Sequence, residues 1–145
     1  MSTYVIDASV AAKWVLPASG ETLTQEALEL LKRYAAAQVR FLVPDLFWAE
    51  FGNVMWKAVR RGRWTKDAAD AAIAAIKDRT LPTVPSLELL EAAFAIANAF
   101  EKSFHDSLYV ALAISSKAQL VTADERLAQA LAASLPVKWL GSLQA

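Results

Sequence analysis

The amino-terminal part of the chain reads YVIDASVAAKWVL over residues 4–16. Residues 4–6 have the character of a short buried strand, and the acid Asp7 follows them directly. A helical pattern then runs from about residue 10 to residue 16, until PASG at residues 17–20 interrupts it. Because short strands that lead into helices are typical of parallel α/β folds, this stretch decides the fold class.

The rest of the chain continues the same alternation of short strands and helices. Further strand candidates lie at residues 41–43, 81–84, 118–121 and 137–140. Helical patterns cover residues 21–37, 46–61 after a predicted N-cap at Asp45, 65–77, a segment from Ser86, one from near Asp106, and 124–133. We therefore expect residues 1–145 to form one α/β domain whose parallel sheet carries helices on both faces.

Composition limits both the partners and the metal chemistry. Fifteen basic residues balance fifteen acidic ones, so any nucleic-acid contact must be local. The chain has no cysteine, which excludes disulfides and thiolate metal sites. His105 is its single histidine, which excludes a zinc site of several histidines. A bound metal would need carboxylate, carbonyl and water ligands, the set that Mg²⁺ and Mn²⁺ prefer.

The sequence also favours a cytoplasmic protein with at least one partner. Its first residues lack the basic region of a signal peptide. No apolar run approaches the roughly 20 residues that a membrane span needs. Yet 56% of the residues are hydrophobic, and five are tryptophans. We expect part of this apolar surface to face another protein.

Four acids occupy corresponding places in the predicted strand–helix units. Asp7 and Asp124 stand where a strand turns into a helix, and Asp106 opens a helix. Glu50 lies within the first two turns of the helix that follows residues 41–43. Because ligands of parallel α/β sheets bind at the carboxyl ends of the strands, we expect these acids to cluster at one edge.

Each acid alone has an ordinary structural explanation. Asp7 can cap the helix that follows it. The segments at residues 103–106 and 122–125 have the form of capping boxes, with the last residue of each as the reciprocating acid. Glu50 can be a solvated residue on a helix face.

As a set, the acids indicate a cation site. Two carboxylates about 4 Å apart repel by roughly 4 kcal/mol at an effective dielectric near 20. Several carboxylates in one cleft must therefore take up protons or bind a cation. Capping does not account for Glu50, whereas an oxygen-ligand site for Mg²⁺ or Mn²⁺ accounts for all four positions. Such an ion activates water and polarises a phosphoryl oxygen, which predicts hydrolysis of a phosphodiester.

Four segments resemble the pattern of the PIN-domain family. They are VIDAS at residues 5–9, Pro44 with WAEFGNV at 48–54, FHDSLYVALA at 104–113, and LVTADERL at 120–127. The third segment is the most specific, and the four together span almost the whole chain in order. The length of the chain and the residues of these motifs are similar to those of the VapC branch, the toxins of type II toxin–antitoxin pairs.

The resemblance implies a three-layer fold with a five-stranded parallel sheet in the order 3-2-1-4-5. It implies a Mg²⁺- or Mn²⁺-dependent endoribonuclease, a homodimer, and inhibition by a VapB-type antitoxin whose tail reaches the active site. The metal ligands and catalytic acids that it implies are Asp7, Glu50, Asp106 and Asp124. Ser9 and Thr122 match polar positions that support the acids and their waters, and Asn53 matches a position one turn after the second acid.

A basic segment follows Glu50. Its cations are Lys57, Arg60, Arg61, Arg63 and Lys66, with Trp56 and Trp64 between them. Arginine beside aromatic rings suits single-stranded nucleic acid, so Lys57, Arg60 and Arg61 are candidate RNA contacts. The alternative is a solvated helix end whose cations complement the helix dipole, with the tryptophans in core, dimer or antitoxin contacts.

Other functions stay open at this point. A haloacid-dehalogenase-like phosphatase also has an aspartate after its first strand, but it has a second acid two residues later, where this chain has Ser9. A receiver-like signalling domain has an acidic pocket too, but the Glu50 and Asp106 segments fit it less well. Neither a Gly-x-Gly-x-x-Gly loop nor a Walker A loop occurs. The third alternative is a non-catalytic PIN-like module that binds RNA or protein, in which the acids only cap helices.

Overall fold

In the computed structural model, which describes residues 1–143, strands and helices alternate along the chain. The strands are β1 (Ser2–Ile6), β2 (Val39–Pro44), β3 (Thr83–Val84), β4 (Gln119–Thr122) and β5 (Val137–Trp139). The helices are α1 (Ala8–Val15), α2 (Thr24–Ala35), α3 (Leu46–Arg60), α4 (Lys66–Asp78), α5 (Ser86–Phe100), α6 (Phe104–Ser115) and α7 (Glu125–Leu131). The predicted alternation is thus confirmed, with element ends displaced by a few residues.

The five strands form one parallel sheet in the order β3-β2-β1-β4-β5, which confirms the predicted 3-2-1-4-5 order. In the centre, Val5 of β1 pairs with Leu42 of β2 on one side and with Leu120 of β4 on the other. Because the strands are parallel and helices connect them, the helices that leave β1, β2 and β4 all begin at the carboxyl edge of the sheet. This edge therefore collects Asp7, Glu50 and Asp124.

The hydrophobic core covers both faces of the sheet. Tyr4, Val5 and Ile6 are consecutive in β1 and all buried; since neighbouring strand residues point to opposite faces, both faces are covered. Helix α6 packs against β1, β2 and β4, and residues 107–113 are buried without interruption. A helix that is apolar all round in this way belongs to the interior. Across residues 1–143, every helix falls short of the length and apolar character that a bilayer crossing demands.

Two local predictions held only in part. Asp45 stands at the N-cap position of α3 as predicted, but its own backbone is already helical (φ −63°, ψ −24°) and its side chain makes no cap hydrogen bond there. Its carboxylate instead accepts a hydrogen bond from the hydroxyl of Ser86 at the start of α5. Helix α2 begins at Thr24, three residues later than expected, because Leu23 adopts a left-handed conformation (φ 57°).

Candidate active site

Asp7 connects the central strand to the first helix. Its N–H donates to the carbonyl of Val121 (3.2 Å), which extends the β1–β4 ladder by one residue. Its carboxylate caps α1 through a long 3.4 Å contact from the N–H of Ser9. The Thr122 hydroxyl donates to Oδ2 of Asp7 at 2.7 Å. The capping explanation of Asp7 is confirmed, but a weak cap of this length leaves the carboxylate free for another role.

The environment of Asp7 disfavours its negative charge. Burial, and to a lesser degree the neighbouring charge of Glu50, raise the pKa of this carboxyl from 3.8 to about 6, against the opposing hydrogen bonds from Thr122 and Ser9. The predicted crowding of carboxylates thus applies to Asp7 and Glu50. A cation between them would relieve both the lost hydration and the repulsion.

Glu50 is held by a residue that the sequence analysis did not single out. The Tyr109 hydroxyl donates to Oε1 of Glu50 at 2.7 Å. Burial raises the pKa of Tyr109 far above its usual value, and the charge of Asp7 and the contact with Glu50 act in the same direction. The phenol therefore stays neutral and acts as a donor. Asp7, Glu50 and Tyr109 bring α1, α3 and α6 together at the carboxyl edge of the sheet.

Asp106 and Asp124 line a second part of the site. Together with Lys102 and Arg126 they border a shallow cavity of about 420 Å³. Asp124 caps α7, since its Oδ1 accepts from the N–H of Leu127 at 3.1 Å. Acids and cations thus line the same shallow cavity, which suits a phosphate beside a metal ion.

Asp106 stands in the first turn of α6. Its N–H donates to the hydroxyl of Ser103 at 3.0 Å, so Ser103 is the N-cap as predicted. No side-chain hydrogen bond to the Asp106 carboxylate occurs within residues 1–143. The reciprocal half of the predicted capping box is therefore absent from the described residues, and this carboxylate remains available to solvent or a ligand.

Thr122 and Ser9 connect Asp7 to the loop that carries Asp124. The Thr122 hydroxyl donates to Asp7 and also accepts from the N–H of Asp124 at 3.1 Å. Oγ of Ser9 accepts from the N–H of Ala123 at 3.2 Å. The expectation that Thr122 caps α7 was therefore wrong, because Asp124 occupies the N-cap.

The acids suit Mg²⁺ or Mn²⁺ in kind, but they form pairs rather than one finished cage. Among residues 1–143, no three acidic or histidine side chains converge closely enough to enclose an ion. Mg²⁺ usually needs only one or two protein carboxylates, since substrate phosphates and water complete its shell. The half-buried pair of Asp7 and Glu50 meets this requirement, and its ligand atoms would be hard carboxylate oxygens.

The polar side of α3 continues from Glu50 toward solvent. Asn53, one turn later, is exposed, and among residues 1–143 its side chain makes no hydrogen bond to Glu50. Lys57, Arg60 and Arg61 are exposed as well. At 1.5 Å per residue, these cations lie about 10–17 Å along the helix from Glu50.

Some cations of the basic segment form ion pairs, whereas others do not. Arg63 pairs with Glu21 (3.0 Å), and Lys66 pairs with Asp70 (2.7 Å). Lys57, Arg60 and Arg61 have no acidic partner within 4.0 Å among residues 1–143. The guanidinium of Arg60 lies 5.4 Å from the ring centroid of the exposed Trp56. These are the same three cations that the sequence suggested as RNA contacts.

Sequence reasoning overlooked Tyr109, Lys102 and Arg126. Tyr109 follows Asp106 by three residues on α6, a spacing that puts both on one side of a helix. A tyrosine inside such an apolar helix also needs a partner for its hydroxyl, which was the available signal. Arg126 lies two residues after the N-cap Asp124, whereas no pattern pointed to Lys102. Two larger hollows of about 710 Å³ each, lined largely by α2 and β2, contain none of the four acids.

Comparison with known proteins gives a consistent result. Residues 4–131 match the family model of the PIN domain. Over 127 residues, the chain is 30% identical to Ribonuclease VapC3 of Pyrobaculum aerophilum, which covers 86% of this chain and 92% of that protein.

Solved structures share the fold. VapBC2 from Rickettsia felis, bound to a DNA fragment from its promoter, has a TM-score of 0.65 at 16% identity, covering 94% of this chain and 98% of that chain. The Mycobacterium tuberculosis toxin VapC20, which cleaves the sarcin–ricin loop, has a TM-score of 0.62 at 21% identity, covering 91% of this chain and 95% of that one.

Proposed function

Because this chain belongs to the PIN-domain family, in its VapC branch, we propose that it is an endoribonuclease that uses Mg²⁺ or Mn²⁺. The observation that carries the proposal is the half-buried pair of Asp7 and Glu50, in which the pKa of Asp7 is raised to about 6. A protein gains nothing from crowding two carboxylates unless a cation or a proton compensates them. The relative Ribonuclease VapC3 supports RNA as the substrate.

The carboxylates of the site have separate tasks in this proposal. Asp7 and Glu50 would hold the ion as a pair, and Asp106 and Asp124 are the further candidate ligands. When bound, the ion lowers the pKa of a water molecule and polarises a phosphoryl oxygen. Thr122 orients Asp7 and favours its ionised form through the 2.7 Å hydrogen bond. Ser9 fixes the loop in front of Asp124. The Asp106 carboxylate, which makes no cap hydrogen bond among residues 1–143, would be free to bind the ion or its water.

Cations along the site provide for the substrate. Lys102 and Arg126, in the cavity beside Asp106 and Asp124, are placed to contact the phosphate at the cleaved bond. Lys57, Arg60 and Arg61 extend the contact to neighbouring nucleotides, and Trp56 offers a face for base stacking. Such local contacts are compatible with a chain whose formal net charge is zero. Asn53, which lies between Glu50 and Lys57 on α3, is a further candidate contact.

We also propose that the protein is the toxin of a VapBC-type pair, acts in the cytoplasm as a homodimer, and is inhibited by a VapB-type antitoxin. Support comes from fold relatives that are toxin–antitoxin assemblies, including VapBC2 of Rickettsia felis. The surface agrees with protein partners, because Leu87, Leu90 and Phe94 on α5 are exposed by 81%, 47% and 65%. An apolar face of this kind is uncommon on a soluble monomer.

The test is cleavage of mixed cellular RNA by purified, antitoxin-free protein with Mg²⁺ or Mn²⁺. We expect discrete fragments that disappear with EDTA and with Asp106→Asn, which replaces the carboxylate at nearly constant volume. Asp78→Asn is the matched control, since this exposed acid ends α4 and lies outside the cavity that Asp106 borders. RNA binding without cleavage, together with a melting temperature indifferent to Mn²⁺, would instead indicate a non-catalytic binding module.

A further inference from the structure

Tyr109 lies inside the site, and the proposed reaction does not yet give it a task. Its hydroxyl donates to Oε1 of Glu50 at 2.7 Å, and the residue is only 2% exposed. A buried phenol hydroxyl needs a partner, but here the partner is a carboxylate that is expected to bind a cation. We propose that Tyr109 is a positioning residue that fixes the Glu50 carboxylate for the metal ion, an inference that rests on the proposed function.

Glu50 needs such support because of its place on α3. It is partly exposed, on a helix face that leads to the solvent-exposed Asn53 and Lys57. A glutamate in this position samples several rotamers, and binding an ion would have to order it. With one oxygen held by Tyr109, the other oxygen of Glu50 is already oriented. The Glu50 side chain is then already ordered before the ion binds, so binding does not have to restrict its rotamers.

Helix α6 is rigid enough to provide this support. It contacts β1, β2 and β4, and its residues 107–113 are all buried. The helix therefore cannot shift without disturbing the core. The same helix carries Asp106 one turn before Tyr109, on the same side. A single rigid element thus sets the position of one proposed ligand directly and of another through a hydrogen bond.

The first test is Tyr109→Phe, which removes only the hydroxyl. The melting temperature is followed as Mn²⁺ is added, and kcat and KM for RNA are measured in parallel. Loss of partners that orient metal ligands commonly costs 10–100-fold in affinity or activity. We expect the Mn²⁺ midpoint to rise about 10-fold or more, with KM for RNA near wild type. Tyr34→Phe, on the stacked ring beside Phe41, is the matched control and leaves the midpoint unchanged.

The second test asks whether Tyr109 acts through Glu50. If it does, the double variant Tyr109→Phe, Glu50→Gln binds Mn²⁺ no more weakly than Glu50→Gln alone. Fully additive losses would mean that Tyr109 contributes to packing only, and would overturn the inference.

The outcomes separate this inference from the proposed function. A wild-type protein that neither cleaves RNA nor gains stability from Mn²⁺ would overturn both. A wild-type protein that does both, while Tyr109→Phe keeps the wild-type midpoint and kcat, would overturn only the role of Tyr109.

Discussion

The Thr122 hydroxyl donates to Oδ2 of Asp7 at 2.7 Å and accepts from the N–H of Asp124 at 3.1 Å. One short side chain in β4 therefore fixes the central acid of the site and the start of the next acidic loop. The residue is fully buried, so water cannot replace either hydrogen bond without a change in packing. Thr122 acts on Asp7 chiefly by favouring its ionised form.

Replacing Thr122 by valine tests this effect at nearly constant volume. The hydrogen bond from Thr122 lowers the pKa of Asp7, so we expect its loss to raise that pKa above the value of about 6. The measurement is a pH titration of the Asp7 carboxyl ¹³C resonance in metal-free protein. Thr122→Ser, which keeps the hydroxyl, should stay close to wild type. A valine variant with an unchanged or lower pKa would show that this bond does not govern the charge of Asp7.

Asp7→Asn should stabilise the metal-free protein at neutral pH. The pKa of Asp7 is higher in the folded chain (about 6) than its ordinary 3.8, so its ionisation opposes folding. The protonated Asp7 carboxyl therefore favours the folded state below about pH 4, and this contribution to folding stability is lost as pH rises through about 6. A shift of this size corresponds to about 3 kcal/mol at most. Denaturant unfolding should show the Asn variant more stable at pH 8 and equal to wild type near pH 4.

The result with metal present should be the reverse. Wild-type protein gains stability from Mn²⁺ by mass action, whereas Asp7→Asn has lost a charged ligand and gains little. If the Asn variant is less stable than wild type in metal-free buffer at pH 8, burial does not penalise the Asp7 charge in the way that we infer.

The sequence was sufficient for the architecture. Alternation of strands and helices predicted the parallel sheet, and the positions of Asp7 and Asp124 after their strands predicted a shared edge. These inferences rest on local periodicity and on the geometry of parallel sheets, and neither depends on the contacts of any single residue. The order of the strands came from the family resemblance, not from periodicity.

Hydrogen bonds between segments that are distant in sequence could not be predicted from the local sequence pattern. Asp45 had the form of an N-cap, yet its carboxylate bonds to Ser86, 41 residues away. Thr122 also had the form of a cap, but its hydroxyl donates a hydrogen bond to Asp7, which follows the neighbouring strand β1. When a polar side chain has several possible hydrogen-bond partners, the tertiary structure decides which of them it contacts, and local sequence spacing does not encode that position. Tyr109 was overlooked for the same reason, since its partner is 59 residues away.

The Asp45–Ser86 contact should matter for stability in a pH-dependent way. The side-chain hydrogen bond from Ser86 lowers the pKa of Asp45, which is largely exposed. Its contribution is therefore present above about pH 4 and is lost as pH falls through the lowered pKa. We expect Asp45→Asn to reduce the melting temperature modestly at pH 7 and hardly at pH 3. Ser86→Ala should cause a similar loss, and the double variant should not add to it.

Arg126 and Lys102 allow the substrate contact to be separated from the chemistry. If they hold the phosphate beside Asp106 and Asp124, Arg126→Ala should raise KM for RNA more than it lowers kcat. Removing one phosphate contact should also reduce the slope of log affinity against log salt by about 1. Binding is best measured in an Asp106→Asn background, where the RNA stays intact. Lys77→Ala is the control, because this exposed cation lies in the last turn of α4. Equal salt slopes for Arg126→Ala and Lys77→Ala would place the RNA path elsewhere, and the exposed cations of α3 would then be the next to replace.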